Sequence, residues 1–215
     1  MIMLLGLGIW QMQRLEWKTE QITLRQQALM GDPVDLSEVV DFRALDFQAV
    51  RVEGRFLSHR SLFLYPRAMN KVAGVHILTP FKLTSGEVFV VNRGFVPSGG
   101  VAPKYFDDPV TDHLFILTGI LRTRFKKPYG IGDGIDPTGL IGWYDIPAMT
   151  TAFGVPLQPA IIEAGNSPHP DRPPSPGQTT TDLVNNHASY AFTWFCLAFA
   201  WLVIFIIFWR QQGTS

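Results

Sequence analysis

Cysteine and charge are both scarce in this chain, and each shortage excludes a class of function. The 215 residues include one cysteine, Cys196, so the chain forms no internal disulfide, no Cys-x-x-Cys redox centre and no cysteine-built zinc or copper site. Charged residues make up 17%, against about 25% in a typical soluble domain. Basic and acidic residues number 18 each, so no net field attracts nucleic acid. We predict no nucleic-acid partner and no role as a copper chaperone.

The sequence also lacks the short motifs of common enzyme classes. It contains no Gly-x-Ser-x-Gly elbow, phosphate-binding loop, His-Glu-x-x-His pair or dinucleotide-binding fingerprint. Serine, histidine and aspartate occur, but any chain of this length supplies them by chance. We therefore predict that the protein is not an enzyme.

Apolar residues are concentrated in two uncharged runs at the ends of the chain, residues 1–13 and 188–209. A transmembrane helix needs about 20 apolar residues, which the second run provides. Its Tyr190, Trp194 and Trp209 have the character of interface anchors, and Arg210 ends it. The alternative is a buried core helix, but such a helix normally has a polar face. We predict a transmembrane helix over 187–209, followed by a cytoplasmic tail over 210–215.

The first run is shorter than the roughly 17 residues that a span requires. A cleaved signal peptide would have a basic start and a small-residue cleavage site, and neither is present. We interpret 1–13 as an uncleaved span whose start is truncated, continuing into a membrane-proximal helix over 14–31. Arg210 favours a cytoplasmic C-terminus, which places the central domain outside.

The central region, residues 32–164, is predicted to be rich in strands. Alternating apolar and polar residues at 47–57, and a turn at 84–86 between two apolar segments, indicate strands and a hairpin. Gly54 and Gly119 inside strands indicate bulges or sharp bends. We expect an α+β membrane protein: two transmembrane helices flank an antiparallel sheet or small open barrel of about six strands with one or two short helices. A proline-rich link follows at 165–186. The expected elements are strands at 47–57, 61–65, 75–83, 87–96, 113–121 and 157–163, and a helix at 145–153.

Among the five histidines, His187 stands out because it opens the second predicted span. Helical spacing places a stripe of aromatic residues, interrupted by small alanines, on the same helix face as His187. A planar porphyrin could lie on such a stripe with the imidazole as axial ligand of its iron. The alternative is an ordinary interfacial histidine within an aromatic belt. The stripe consists of Tyr190, Ala191, Trp194, Ala198 and Trp201.

Four blocks of the sequence resemble the Surfeit locus protein 1 family of cytochrome c oxidase assembly factors, in a bacterial-type member. They occur in the family's order across nearly the whole chain, and the outer two are the more specific. The blocks are LGIWQMQRLEWK at 7–18, VRVEGRF at 50–56, VVNRGFVP at 90–97 and NNHASYAFTWF at 185–195.

The resemblance implies two transmembrane helices around an external domain and a role in inserting haem a into the oxidase. A histidine that opens the second helix is the proposed haem ligand of bacterial members, and it matches His187. The implied partners are the oxidase core subunit, membrane lipid and the haem a synthesis enzyme. The implied location is the bacterial inner membrane with the domain on the periplasmic side, or alternatively the mitochondrial inner membrane. The family's usual Phe-x-Pro-x-Asn stretch is replaced here by residues 127–130 and a glycine-rich loop.

Two arginines and four residues near the membrane complete the candidate site. Arg93 follows an apolar strand and is expected at a sheet end, where it and Arg67 could pair with haem propionates. The alternative is a solvated turn arginine. The candidate packing partners of His187 are Trp10, Gln11, Arg14 and Asn186.

Three functions remain open at this point. The favoured one is an assembly factor that binds haem a at His187 and passes it to the oxidase core subunit. The second is a membrane scaffold that stabilises an oxidase assembly intermediate and holds no cofactor. The third is a membrane-tethered enzyme acting on haem or lipid, for which the sequence offers no catalytic constellation.

Overall fold

The chain divides into two compact units. In a computed structural model, the described residues are 2–36, 39, 41–57, 61–98, 113–177, 179 and 186–212. One unit comprises Met1–Gln27 and Thr180–Ser215, and the other comprises Ala28–Thr179. The first is helical, and the second carries the strands.

The helical unit is built from the two ends of the chain. Helix α1 spans Ile2–Met30 without interruption, which confirms that residues 14–30 continue the first segment as one element. No proline occurs before Pro33, where the missing backbone N–H would break a helix. Helix α3 spans His187–Gln212.

Helix α3 has the length and composition of a membrane span from His187 to Arg210, and only 11% of its most apolar stretch is buried. A core helix of a soluble protein would be mostly buried, so the low burial favours the membrane over the core alternative. Of the helices that the structure describes, α3 alone meets these criteria. The span predicted at 1–13 therefore stays a prediction.

The strand unit is a β-barrel with extensions. Along the described residues it has eight strands in the order β1-β2-β6-β8-β5-β4-β3-β7, and β2 also pairs with β4. The barrel is therefore closed into a ring by β2, β6, β8, β5 and β4, not open as expected. It is also mixed, because β8 runs parallel to β5. The strands are β1 (Val34–Asp35), β2 (Ala49–Phe56), β3 (Leu62–Met69), β4 (Val72–Leu83), β5 (Val88–Pro97), β6 (Phe115–Arg122), β7 (Leu140–Ile141) and β8 (Ile161–Ala164).

Gly54 and Gly119, the two glycines singled out in predicted strands, each lie close to the backbone of a neighbouring strand. Gly54 is paired with Phe115 of β6 and also with Leu83 of β4, so it is the residue at which β2 changes partner. A Cβ atom at Gly54 would collide with the Lys82 carbonyl, and one at Gly119 would collide with the Glu163 carbonyl. Both glycines are therefore close backbone approaches that favour glycine, and the bulge or bend predicted at each of them stays a prediction.

Several sequence expectations are confirmed and others are revised. The hairpin of β4 and β5 turns at Gly86 as expected, and α2 (Ile146–Phe153) begins at its N-cap Asp145 and ends at Gly154 with φ +67°. Strand β3 is longer than predicted, β8 is shorter, and β1 and β7 were not foreseen. Met149 of α2 is fully buried against residues of β3, β4 and β8, which form one of the core clusters.

The proline-rich link is attached to the barrel over much of its described length. Ser175 and Phe95 exchange two backbone hydrogen bonds of 2.9 and 3.0 Å, and the Gly177 N–H donates to the Ala164 carbonyl at 2.8 Å. Gly94 has φ +115°, and a Cβ atom there would collide with the Ser175 carbonyl. Within the link predicted at 165–186, the segment up to Gly177 is thus a strap on β5.

Candidate functional site

His187 is the first residue of α3, is half-buried, and contacts α1. Its Nδ1 lies 2.6 Å from Oε1 of Gln11. An amide oxygen only accepts hydrogen bonds, so His187 Nδ1 carries a proton and donates a hydrogen bond to Gln11 Oε1. In a neutral imidazole the other nitrogen then holds a lone pair. No hydrogen bond or ion pair joins Nε2 to any of the described residues, so the ring can offer one nitrogen ligand to a metal.

The face of α1 that carries Gln11 is the less exposed side of that helix. Leu4, Leu7 and Leu15 are half-buried on this face, and Gly8 is buried. A methyl group added at Gly8 would lie 2.6 Å from the Phe195 ring, so this side chain of α3 packs directly on α1 at Gly8.

The aromatic stripe predicted on α3 is not one open surface. Ala191 and Ala198 are 2% and 4% exposed, while Tyr190 and Trp201 are 56% and 48% exposed. Trp194 is half-buried. The expected flat platform for a porphyrin is therefore divided between a covered and an open side. The donor atom fits an axial ligand of haem iron, whereas the stacking surface does not match the expectation.

The other predicted packing partners of His187 are engaged elsewhere or exposed. Trp10 is 51% exposed, and the Arg14 guanidinium lies 4.5 Å from the centre of the Trp17 ring. Asn186 uses its carbonyl to accept a 3.2 Å hydrogen bond from the Tyr190 N–H. Within the part of the chain that the structure describes, Gln11 is the predicted partner that contacts His187.

Arg93 is buried in the interior of β5, within the strand predicted over 87–96, and does not lie at the sheet end where it was expected. Strand β5 continues to Pro97, and the register between β4 and β5 shifts so that Arg93 is the extra residue of a β-bulge. Arg93 is 5% exposed, and its guanidinium lies 4.7 Å from the centre of the Phe56 ring. This burial gives no support to the predicted pairing with haem propionates.

Arg67 is half-buried in β3. Its Nη1 donates a 2.7 Å hydrogen bond to the Pro66 carbonyl. Burial of His76, and secondarily the positive charge of Arg67, lower the pKa of His76 to about 4. Arg67 thus acts electrostatically on a buried histidine of its own unit, and its predicted role toward propionates stays a prediction.

Sequence reasoning missed a buried polar network in the barrel unit. Asn92 Nδ2 donates 3.0 and 2.8 Å hydrogen bonds to His76 Nδ1 and to the Tyr144 hydroxyl, and Asn92 Oδ1 accepts one from the Gly94 N–H at 3.1 Å. Burial, followed by the negative charge of Glu163, raises the pKa of Tyr144. Buried polar groups that hydrogen-bond to one another in this way stabilise a fold. The signal in the sequence was an asparagine within an otherwise apolar strand.

The described residues offer no metal site built from several protein ligands. The described residues contain no group of three or more histidine, cysteine, aspartate or glutamate side chains placed to hold a metal ion. A single axial nitrogen, as at His187, is compatible with a metal whose other ligands come from a macrocycle.

Comparison with known proteins identifies the family. A family model described as the SURF1 family matches residues 1–199. The "Surfeit locus protein 1" of Rattus norvegicus is 31% identical over 213 residues, which cover 91% of this chain and 68% of the rat protein. The "SURF1-like protein" of Monosiga brevicollis is 29% identical over 97% of this chain and 84% of that protein. The Homo sapiens "Surfeit locus protein 1" is 29% identical over 91% of this chain and 70% of its own length. With both its outer blocks and its barrel inside the match, this chain belongs to the SURF1 family.

Proposed function

We propose that this protein is a membrane assembly factor for cytochrome c oxidase that binds haem a at His187 and assists its insertion into the oxidase core subunit. Haem a is the cargo in this proposal, and the protein's own chemistry is limited to holding and releasing it. The partners are the core subunit, surrounding lipid and the enzyme that supplies haem a. The proposed cellular location is the bacterial inner membrane, with the barrel unit on the periplasmic side.

One observation carries the proposal. His187 opens the apolar helix α3, and its Nδ1 is hydrogen-bonded at 2.6 Å to Gln11, which leaves Nε2 to act as a ligand. Haem iron is commonly held by a histidine whose second nitrogen is hydrogen-bonded. The arrangement therefore has the chemistry that an axial ligand needs. Membership of the SURF1 family supports the link to the oxidase.

A second candidate function is favoured by the covered side of α3. Because Ala191 and Ala198 are almost fully buried, the predicted porphyrin platform is incomplete. A scaffold that docks on the oxidase through its exposed helix surface, and holds no cofactor, needs no such platform. The two candidates differ in whether haem purifies with the protein.

The deciding experiment replaces His187. The full chain is expressed together with haem a synthesis, purified in detergent, and its absorption spectrum is compared with that of His187→Ala. We expect the variant to remain folded and membrane-inserted, since removal of a polar group from an apolar helix does not disfavour insertion. Its haem content should fall sharply, or its Soret band should move to that of an unligated haem.

The matched control is His113→Ala. His113 is an exposed residue that precedes β6, so its removal tests the loss of a histidine without touching α3. The control should retain the parent spectrum and haem content. If His187→Ala retains them too, His187 is not the ligand, and the scaffold function becomes the preferred one.

A further inference from the structure

A side chain from the opposite end of the chain supports the candidate ligand. Gln11 belongs to α1, and its amide contacts an imidazole 176 positions away in the sequence. The contact is 2.6 Å between Gln11 Oε1 and His187 Nδ1. Both residues are half-buried, so water does not compete fully for either atom.

We propose that Gln11 is a positioning residue that fixes the tautomer of His187 and so makes Nε2 the ligating nitrogen. The inference rests on the proposed function of His187 as haem ligand. A free neutral imidazole exchanges its proton between both nitrogens. An acceptor at Nδ1 holds the proton there and orients the ring, which leaves the lone pair of Nε2 in one fixed direction.

The neighbouring residues show why the acceptor comes from α1. Gly8 lies one helical turn before Gln11 and is buried under the Phe195 ring. Leu15 lies one turn after Gln11 and is half-buried on the same face. The amide is therefore held on a rigid helix between two packed positions, whereas an acceptor on a loop would not fix the direction of the imidazole as well.

The first test uses protein prepared without haem, so it is independent of cargo binding. The 215-residue protein with ¹⁵N-labelled histidine is placed in lipid nanodiscs, and long-range nitrogen–proton NMR correlations identify the protonated ring nitrogen of His187. His187→Ala assigns the signal. The parent protein should show protonated Nδ1. Gln11→Met, which keeps the side-chain length but removes the acceptor, should shift the population toward protonated Nε2.

Two further variants separate hydrogen bonding from packing. Gln11→Glu presents only acceptor oxygens when ionised, and it should keep protonated Nδ1. Gln13→Met makes the same change on an exposed position of α1 and should match the parent. If Gln11→Met fails to accumulate in the membrane, Gln11→Asn replaces it in the same measurement of the His187 tautomer. Asparagine keeps an amide but is too short for the 2.6 Å contact.

The second test titrates each protein with iron protoporphyrin IX and follows the Soret band. Loss of the residue that is hydrogen-bonded to a metal-bound histidine typically weakens metal affinity by about 10–100-fold. We expect a loss in that range for Gln11→Met, recovery to within a few-fold for Gln11→Glu, and no change for Gln13→Met.

The outcomes distinguish this inference from the function on which it rests. If Gln11→Met keeps the parent tautomer, or binds the porphyrin as tightly as Gln13→Met does, the role of Gln11 is overturned while a haem-deficient His187→Ala still upholds the ligand. If His187→Ala binds the porphyrin like the parent, the proposed function fails. The NMR measurement then still reports whether Gln11 sets the tautomer.

Discussion

Acidification should destabilise the barrel unit through His76. The pKa of this histidine is lowered from 6.5 to about 4, first by burial and then by the charge of Arg67. Protonation would also place an N–H on Nδ1 against the amide group of Asn92, which donates to that atom at 3.0 Å. The folded state therefore excludes a proton that the unfolded chain accepts.

The sign and size of the effect follow from linkage. Because the unfolded state binds the proton first, stability is complete above pH 6.5 and falls as the pH decreases toward 4. Each pH unit in this window costs about 1.4 kcal/mol, so the full loss for this residue is about 3 kcal/mol. That is a large fraction of the roughly 5–15 kcal/mol that stabilises a typical domain.

Hydrogen exchange of β4 and β5 amides measures this loss without interference from the helices. Between pH 6.5 and 5, where carboxylates contribute little, the opening free energy should decrease by about 2 kcal/mol. His76→Gln keeps an acceptor for Asn92 but cannot titrate, so it should lack this part of the slope. His113→Gln, at an exposed position, should keep it. An identical slope in the parent and in His76→Gln would refute the reasoning.

Two further predictions concern the strap and the topology. Gly94→Ala should destabilise the barrel by more than the roughly 1–2 kcal/mol of a non-glycine residue at positive φ, because the Ser175 carbonyl occupies the Cβ position. Gly86→Ala, at φ +107° with open space, is its matched control in urea unfolding, and an equal loss in both would contradict the strap contact. Reporter fusions after Gly100 and after Ser215 should report opposite sides of the membrane, and a shared side would contradict an external barrel unit.

Local patterns in the sequence were sufficient for most of the helices and strands. The alternation at β2, the glycine turn between β4 and β5, and the capping residues Asp145 and Gly154 each act within a few residues. They were therefore visible without knowledge of the rest of the chain. Strands β1 and β7 are two residues long and carry no periodic signal.

Features that depend on distant partners were not visible. The strand predicted over 87–96 covers Asn92-Arg93-Gly94, but the bulge at Arg93 and the pairing of Phe95 with Ser175 depend on residues that are distant in the sequence. The closing pairing of β2 with β4 also depends on register that no local pattern fixes.

At the candidate site, too, local features were visible in the sequence and contacts between distant residues were not. Helical spacing placed His187 at the start of a long apolar helix and Gln11 on another helix, and both assignments agree with the structure. Periodicity could not give the rotation of one helix against the other. It therefore could not distinguish Gln11, which reaches the imidazole, from Trp10 and Arg14, which do not.

The position of β8 in the barrel has a consequence for folding during synthesis. Strand β8 is the last strand along the described residues, yet it lies between β5 and β6 and pairs with both. A ribosome must therefore release the chain as far as Ala164 before the ring can close. A product truncated before Ile161 would expose the edges of two long strands, and such edges invite pairing with other chains. Nonsense mutations upstream of this point should thus yield aggregating polypeptides destined for proteolysis, not partly working barrels.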